Sequence, residues 1–138
     1  MAIKQELVDT NVLVRFFTGE PAEMAAKARR LVERADNGEI VLVVLPVIVA
    51  ETFYTLESYY EMPRKDVAAK LFQFLQSRGI EAVEQPRILT ALAFCRDDKA
   101  HFADAYLAAS ALELNFPVAS FDRDLDKFKG VQRIEPRA

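Results

Sequence analysis

The segment Ile40–Leu45 constrains the fold most. Six apolar residues, four of them β-branched, follow one another without a polar interruption. A strand with one wet face alternates apolar and polar residues, whereas an unbroken run suits a strand buried on both faces, as in a parallel sheet covered by helices. Pro46 follows at once. A proline at the first helical position forfeits no hydrogen bond, so the chain is predicted to turn from this strand straight into a helix. Further short strands are predicted at Glu6–Asp9, Glu81–Glu84, Pro117–Ser120 and Val131–Ile134. Helices are predicted over Val12–Phe17, from Pro21 to an Asn37-Gly38 stop, from Pro46 through Leu56, from Pro63 to Arg78-Gly79, over Pro86–Asp97 and over Phe102–Leu114, with one more turn ending at Phe128. Five strands alternating with six or seven helices predict an α/β domain with a mainly parallel sheet.

The chain has 138 residues, the size of one ordinary domain, expected to span 1–138. Hydrophobic residues make up 51% of it, enough for a proper core. Cys95 is the only cysteine and His101 the only histidine, which excludes an intrachain disulfide, a thiolate cluster and a multi-histidine zinc site. A metal centre in this chain has to use oxygen ligands. Lys4 and Glu6 precede any apolar run, so no secretion signal is expected. The longest uncharged run, Ile40–Ala50, has 11 residues and contains Pro46, too short for a bilayer span, and the expected compartment is the cytoplasm.

Four carboxylates stand out by position. Asp9 ends the first predicted strand, Glu51 follows the apolar start of the helix after the second, Asp104 lies in the first turn of the alanine-rich helix, and Asp122 follows a late strand. The carboxyl ends of parallel strands form one rim, where ligands bind. Carboxylates brought together there cannot all stay ionised without a counter-charge. A hard divalent cation such as Mg²⁺ or Mn²⁺ supplies it and suits phosphodiester hydrolysis.

Each residue also has a plainer reading. Asp9 and Asp122 suit helix N-caps. Asp104 suits the positive end of a helix dipole. Glu51, if buried, needs an arginine partner. Thr10, Asn11 and Ser120 neighbour the acids and either orient them or serve ordinary turns. Asp124 is at most auxiliary. His101 reads as a solvated loop residue, and Cys95 as core.

These residues carry a family likeness. The chain resembles the PIN-domain ribonucleases, and most closely the VapC-type toxins of prokaryotic toxin–antitoxin pairs. The likeness rests on Leu7-Val8-Asp9-Thr10-Asn11, on Glu51, on Phe102-Ala103-Asp104-Ala105 with Leu107-Ala108-Ala109, and on Ala119-Ser120-Phe121-Asp122-Arg123-Asp124-Leu125. It implies a three-layer α/β/α fold with a five-stranded parallel sheet flanked by helices. It implies Mg²⁺ or Mn²⁺ held by Asp9, Glu51, Asp104 and Asp122, with Thr10 or Ser120 assisting. Cleavage of RNA, translational arrest, a homodimer and an inhibitory antitoxin protein follow from the same likeness. Some relatives carry another acid just before the third motif, where this chain has His101. A PIN-like adaptor that binds RNA or protein without cutting is the alternative.

A net charge of −3 looks wrong for an RNA partner, since phosphate contacts drive affinity. The four acids alone exceed that excess, and bound cations would offset them. Arg15 and Arg123 lie nearest the motifs and are the expected RNA contacts. Lys27, Arg29, Arg30 and Arg34 form a solvated helix face by default. Tyr54, Tyr59 and Tyr60 suit either core or an interface. Haloacid-dehalogenase phosphatases need a second acid where Asn11 stands. Receiver domains need an aspartate after a central strand, where this chain has Leu45-Pro46.

Overall fold

The computed structural model describes residues 3–138. Met1 and Ala2, part of the expected domain, lie outside the described residues. The described chain runs β1 (Lys4–Leu7), α1 (Thr10–Thr18), α2 (Ala22–Asp36), β2 (Ile40–Val44), α3 (Pro46–Ser58), α4 (Arg64–Phe74), β3 (Ile80–Ala82), α5 (Gln85–Asp98), α6 (Phe102–Leu114), β4 (Val118–Ala119) and β5 (Arg133–Ile134). A 3-10 turn over Arg123–Lys127 precedes β5.

β2 is the middle strand of a parallel sheet ordered β1-β2-β3. Ile40, Leu42 and Val44 are buried, and Val41 and Val43 on the opposite face are half-buried. Neither face of this strand is open to water, as its unbroken apolar sequence requires. Pro46 is the first residue of α3, as expected.

One expectation fails. The five strands do not form one sheet: β4 and β5 pair with each other, in parallel, as a separate two-stranded unit. β4 is only two residues long and follows Pro117, which has no N–H to give. The amides of Val118 and Ser120 donate to the carbonyls of Gln132 and Ile134, at 2.8 and 3.0 Å, so the donors of this short segment are spent on the β5 side. β1 is left as an edge strand, with Leu7 69% exposed.

A second expectation shifts. The helix opened by Pro63 ends at Phe74 instead of reaching Gly79. The amides of Gln76 and Ser77 bond back only three residues, to Gln73 and Phe74. Their side chains cap the carbonyls of Phe72 and Gln73, so the last turn tightens and the helix stops.

The core lies where α3, α4 and α5 meet. Phe53, Leu56, Leu71, Leu75, Ile88 and Leu92 are all inaccessible to water or nearly so, each worth roughly 1.5–3 kcal/mol of transfer free energy. Ala105, Ala108, Ala109 and Ala111 bury the small-residue face of α6. Among the described residues, no helix is long and apolar enough to cross a membrane.

Candidate active site

Asp9 is the residue at which β1 turns into α1. Its backbone is extended, and its Oδ1 accepts from the Thr10 amide at 2.8 Å. The plain reading of Asp9 as a cap is therefore realised. The side chain is also exposed, so capping with Oδ1 does not withdraw the carboxylate from solvent. Thr10 is different: it is buried, and its hydroxyl has no hydrogen-bond partner. Asn11 is exposed on the first turn of α1.

β1 and β2 run in parallel and in register from Lys4 opposite Ile40 to Leu7 opposite Val43. Their carboxyl ends lie side by side, so α1 and α3 leave the sheet from the same rim. α3 buries Val49, Thr52, Phe53 and Leu56 and exposes Val47, Glu51, Tyr54 and Ser58. Glu51 thus faces water, and no ion pair joins it to another described residue. The buried arginine-paired alternative for Glu51 is ruled out by the helix phase. Thr52, its neighbour, is wholly buried, and its hydroxyl also lacks a partner.

Asp104 is half-buried in the first turn of α6, where the helix dipole favours a carboxylate. The start of α6 rests on α3: the rings of Phe53 and Phe102 stand 5.7 Å apart. Asp122 follows β4. Its Oδ1 accepts from the Asp124 amide at 2.9 Å, while its own amide donates to Ser120 Oγ at 2.9 Å. Ser120, Asp122 and Asp124 are thereby gathered into one turn. Asp124 is exposed within the 3-10 turn.

The two arginines differ. Arg15 is half-buried on α1 and donates from Nη1 to the Tyr60 hydroxyl at 3.1 Å. It lines a groove between α1 and α2 with Val12, Met24, Lys27 and Leu31. Arg123 is exposed at the start of the 3-10 turn, and its charge helps lower the Asp126 carboxyl.

The donor chemistry suits a hard divalent cation, because every candidate ligand offers oxygen. The geometry is not closed. Among the described residues, no three acidic, histidine or cysteine side chains stand together as metal ligands. Asp122 lies in the turn that follows β4, and the β4–β5 pair carries no strand hydrogen bond to β1. Among the described residues, unmet hydrogen bonding of buried side chains is confined to β1, α1 and α3: the atoms without partners are Glu6 Oε2, Thr10 Oγ1, Arg15 Nε and Thr52 Oγ1. Such atoms are rare in native proteins, and each calls for an explanation.

Sequence reasoning missed Glu6 and Thr52. Thr52 carried a signal, being the one polar residue on the buried stripe of α3. Arg64 and Glu57 were also missed. Arg64 Nε donates to Glu57 Oε2 at 2.6 Å, and its Nη2 donates to His101 Nδ1 at 2.9 Å. His101 is exposed, as expected, but it is held by this contact. Cys95 is buried core, as expected.

No curated protein matches the chain. The PIN domain family, a family of nucleases, matches residues 7–131, which takes in Asp9, Glu51, Asp104 and Asp122; the chain belongs to that family.

Proposed function

We propose that the protein is an endoribonuclease that depends on Mg²⁺ or Mn²⁺ and acts as the toxin of a toxin–antitoxin pair. The observation that carries the nuclease reading is the in-register parallel pairing of β1 and β2, from whose common rim the exposed Asp9 and the helix α3 with its exposed Glu51 both emerge. Exposed carboxylates at the carboxyl ends of parallel strands stand where such a sheet takes its ligand.

In this reading Asp9, Glu51, Asp104 and Asp122 hold the cation, and Thr10, Asn11, Ser120 and Asp124 orient them. A bound cation supplies charge neutralisation and a Lewis acid for the phosphate. Arg15 and Arg123 contact RNA phosphates and position the strand. The antitoxin and a second copy of the chain would cover apolar surface, of which Leu7 (69% exposed), Tyr54 (68%) and Phe121 (71%) are nearby pieces. The protein works as a single domain in the cytoplasm.

The test is RNA cleavage by the purified chain with Mg²⁺, with Mn²⁺ and with EDTA, beside Asp9→Asn and Asp104→Asn. Cleavage that needs metal and disappears in both variants supports the reading. Cleavage that survives EDTA and both substitutions removes it. A second reading, a non-cutting adaptor that binds RNA or protein, is favoured by the absence of a three-ligand cluster among the described residues. RNA binding with no metal-dependent turnover would select the adaptor.

A further inference from the structure

Arg64 makes three different contacts. Its Nε donates to Glu57 Oε2 at 2.6 Å, Nη1 to the Lys99 carbonyl at 2.7 Å, and Nη2 to His101 Nδ1 at 2.9 Å. The ion pair is mostly withdrawn from water, with Arg64 25% and Glu57 24% exposed. Lys99 ends α5 in a left-handed conformation (φ 57°), and His101 is the N-cap residue of α6. One guanidinium therefore ties the end of α3, the start of α4 and the turn between α5 and α6.

Its position relative to the candidate site follows from the sequence. Glu57 lies six residues after Glu51 on α3, and His101 three residues before Asp104. Among the described residues no side-chain hydrogen bond joins α3 directly to α6; the polar link runs through Arg64. A planar fork with five donors can reach all three acceptors, whereas a lysine ammonium at the end of a flexible stem cannot reproduce that geometry.

We infer that Arg64 is a positioning residue: by bridging Glu57 and His101 it sets, together with the Phe53–Phe102 ring contact, the separation of α3 and α6, and with it the spacing of Glu51 and Asp104. The consequence for cation binding rests on the proposed ligand role of those acids. The consequence for helix spacing does not.

The experiment therefore reads both. Nitroxide labels at Ser58→Cys and Leu112→Cys report the α3–α6 separation by electron paramagnetic resonance. Mn²⁺ affinity is measured by calorimetry on the unlabelled chain. Arg64→Met and Arg64→Lys are compared with His101→Asn, whose amide oxygen can still accept from Arg64, and with Arg96→Met as a control for loss of an arginine elsewhere. The expected result is a broadened or shifted separation in both Arg64 variants at equal folded fraction. Mn²⁺ affinity should fall roughly tenfold or more, the scale of an outer-shell loss. His101→Asn and Arg96→Met should stay close to the parent in both. If Arg64→Met does not fold, Arg64→Lys carries the comparison. An unchanged separation in the Arg64 variants overturns the inference. A changed separation with no Mn²⁺ binding in the parent upholds the helix-spacing role and overturns the ligand assignment.

Discussion

Gly79 packs its α-carbon directly against the carbonyl group of Ala35 at the end of α2. A Cβ on residue 79 would collide with that carbonyl oxygen and with the Ala35 Cβ. The Gly79 carbonyl accepts from the Leu42 amide at 2.8 Å, so the same residue seats the start of β3 beside β2. Its φ of +78° adds a conformational demand that side chains meet poorly. Gly79→Ala should therefore destabilise the protein by more than 2 kcal/mol, counting about 1 for the left-handed backbone and the rest for the clash. Gly38 has a similar φ of +81° with open space around it. Gly38→Ala should cost only about 1 kcal/mol. Urea denaturation of the two variants checks this, and equal losses would show that the Ala35 contact is unimportant.

Asp9 separates folding from chemistry. Its Oδ1 accepts from the Thr10 amide, a bond that an asparagine oxygen also accepts. Asp9→Asn should keep stability within about 0.5 kcal/mol, and Asp9→Ala should lose about 1 kcal/mol as a missing cap. Both should lose RNA cleavage by roughly a hundredfold or more if the carboxylate holds a cation, since that contribution is several kcal/mol. Urea midpoints and cleavage rates, measured on the same samples, decide the matter. Retained cleavage in Asp9→Asn would leave Asp9 as a helix cap alone.

Cys95 is fully buried on α5, and burial pushes its thiol from an ordinary value of 9.0 up to about 12. An acid whose folded value is raised stabilises the fold below its unfolded value and loses that contribution as pH rises toward the folded one. The unfolded chain releases the thiol proton first. Stability should then fall between about pH 9 and about 12, and Cys95→Ala should show a flatter decline over that window. At neutral pH a disulfide reagent should modify Cys95 only as fast as the protein opens. Prompt labelling of the native protein would contradict the burial.

The legible parts of this fold are those set by local chemistry. The unbroken apolar run of β2, Pro46 at the head of α3 and the limits of α6 follow from periodicity and turn residues. The parallel sense of the strands follows from their alternation with helices. The split between the three-stranded sheet and the β4–β5 pair does not, because neighbouring strands in space leave no mark on either sequence. The site divides in the same way. Asp9 and Asp122 were legible as acids that follow strands, with capping as their plain role, and both do cap. Glu51 suggested a burial problem only because the sequence could not show which side of α3 it occupies. Arg64 was hidden because its partners lie seven residues before it and 37 residues beyond it. A link of that kind exists only once the helices are packed.

Arg133 gives the last prediction. It is 14% exposed and holds Asp126 with two bonds, Nε to Oδ1 at 2.9 Å and Nη2 to Oδ2 at 3.2 Å. Its Nη1 donates to the Ser120 carbonyl at 3.1 Å. One side chain thus joins the end of β4, the 3-10 turn and β5, the segment that carries Asp122. The Arg133 hydrogen bond holds the Asp126 carboxyl below its ordinary value of 3.8. A carboxyl lowered in the folded state stabilises the fold above its unfolded value, and that contribution disappears as pH falls through the folded one. Acidification below about pH 4 should therefore weaken the parent more than Asp126→Asn, which has no such proton to bind. Arg133→Met should speed hydrogen exchange at the Val118 and Ser120 amides, which bond across to β5. Urea midpoints at pH 6 and pH 3 test the first statement, and exchange at fixed pH tests the second. Identical acid dependence in the parent and Asp126→Asn would mean that this ion pair is made in the folded chain without contributing to its stability, as many exposed pairs are.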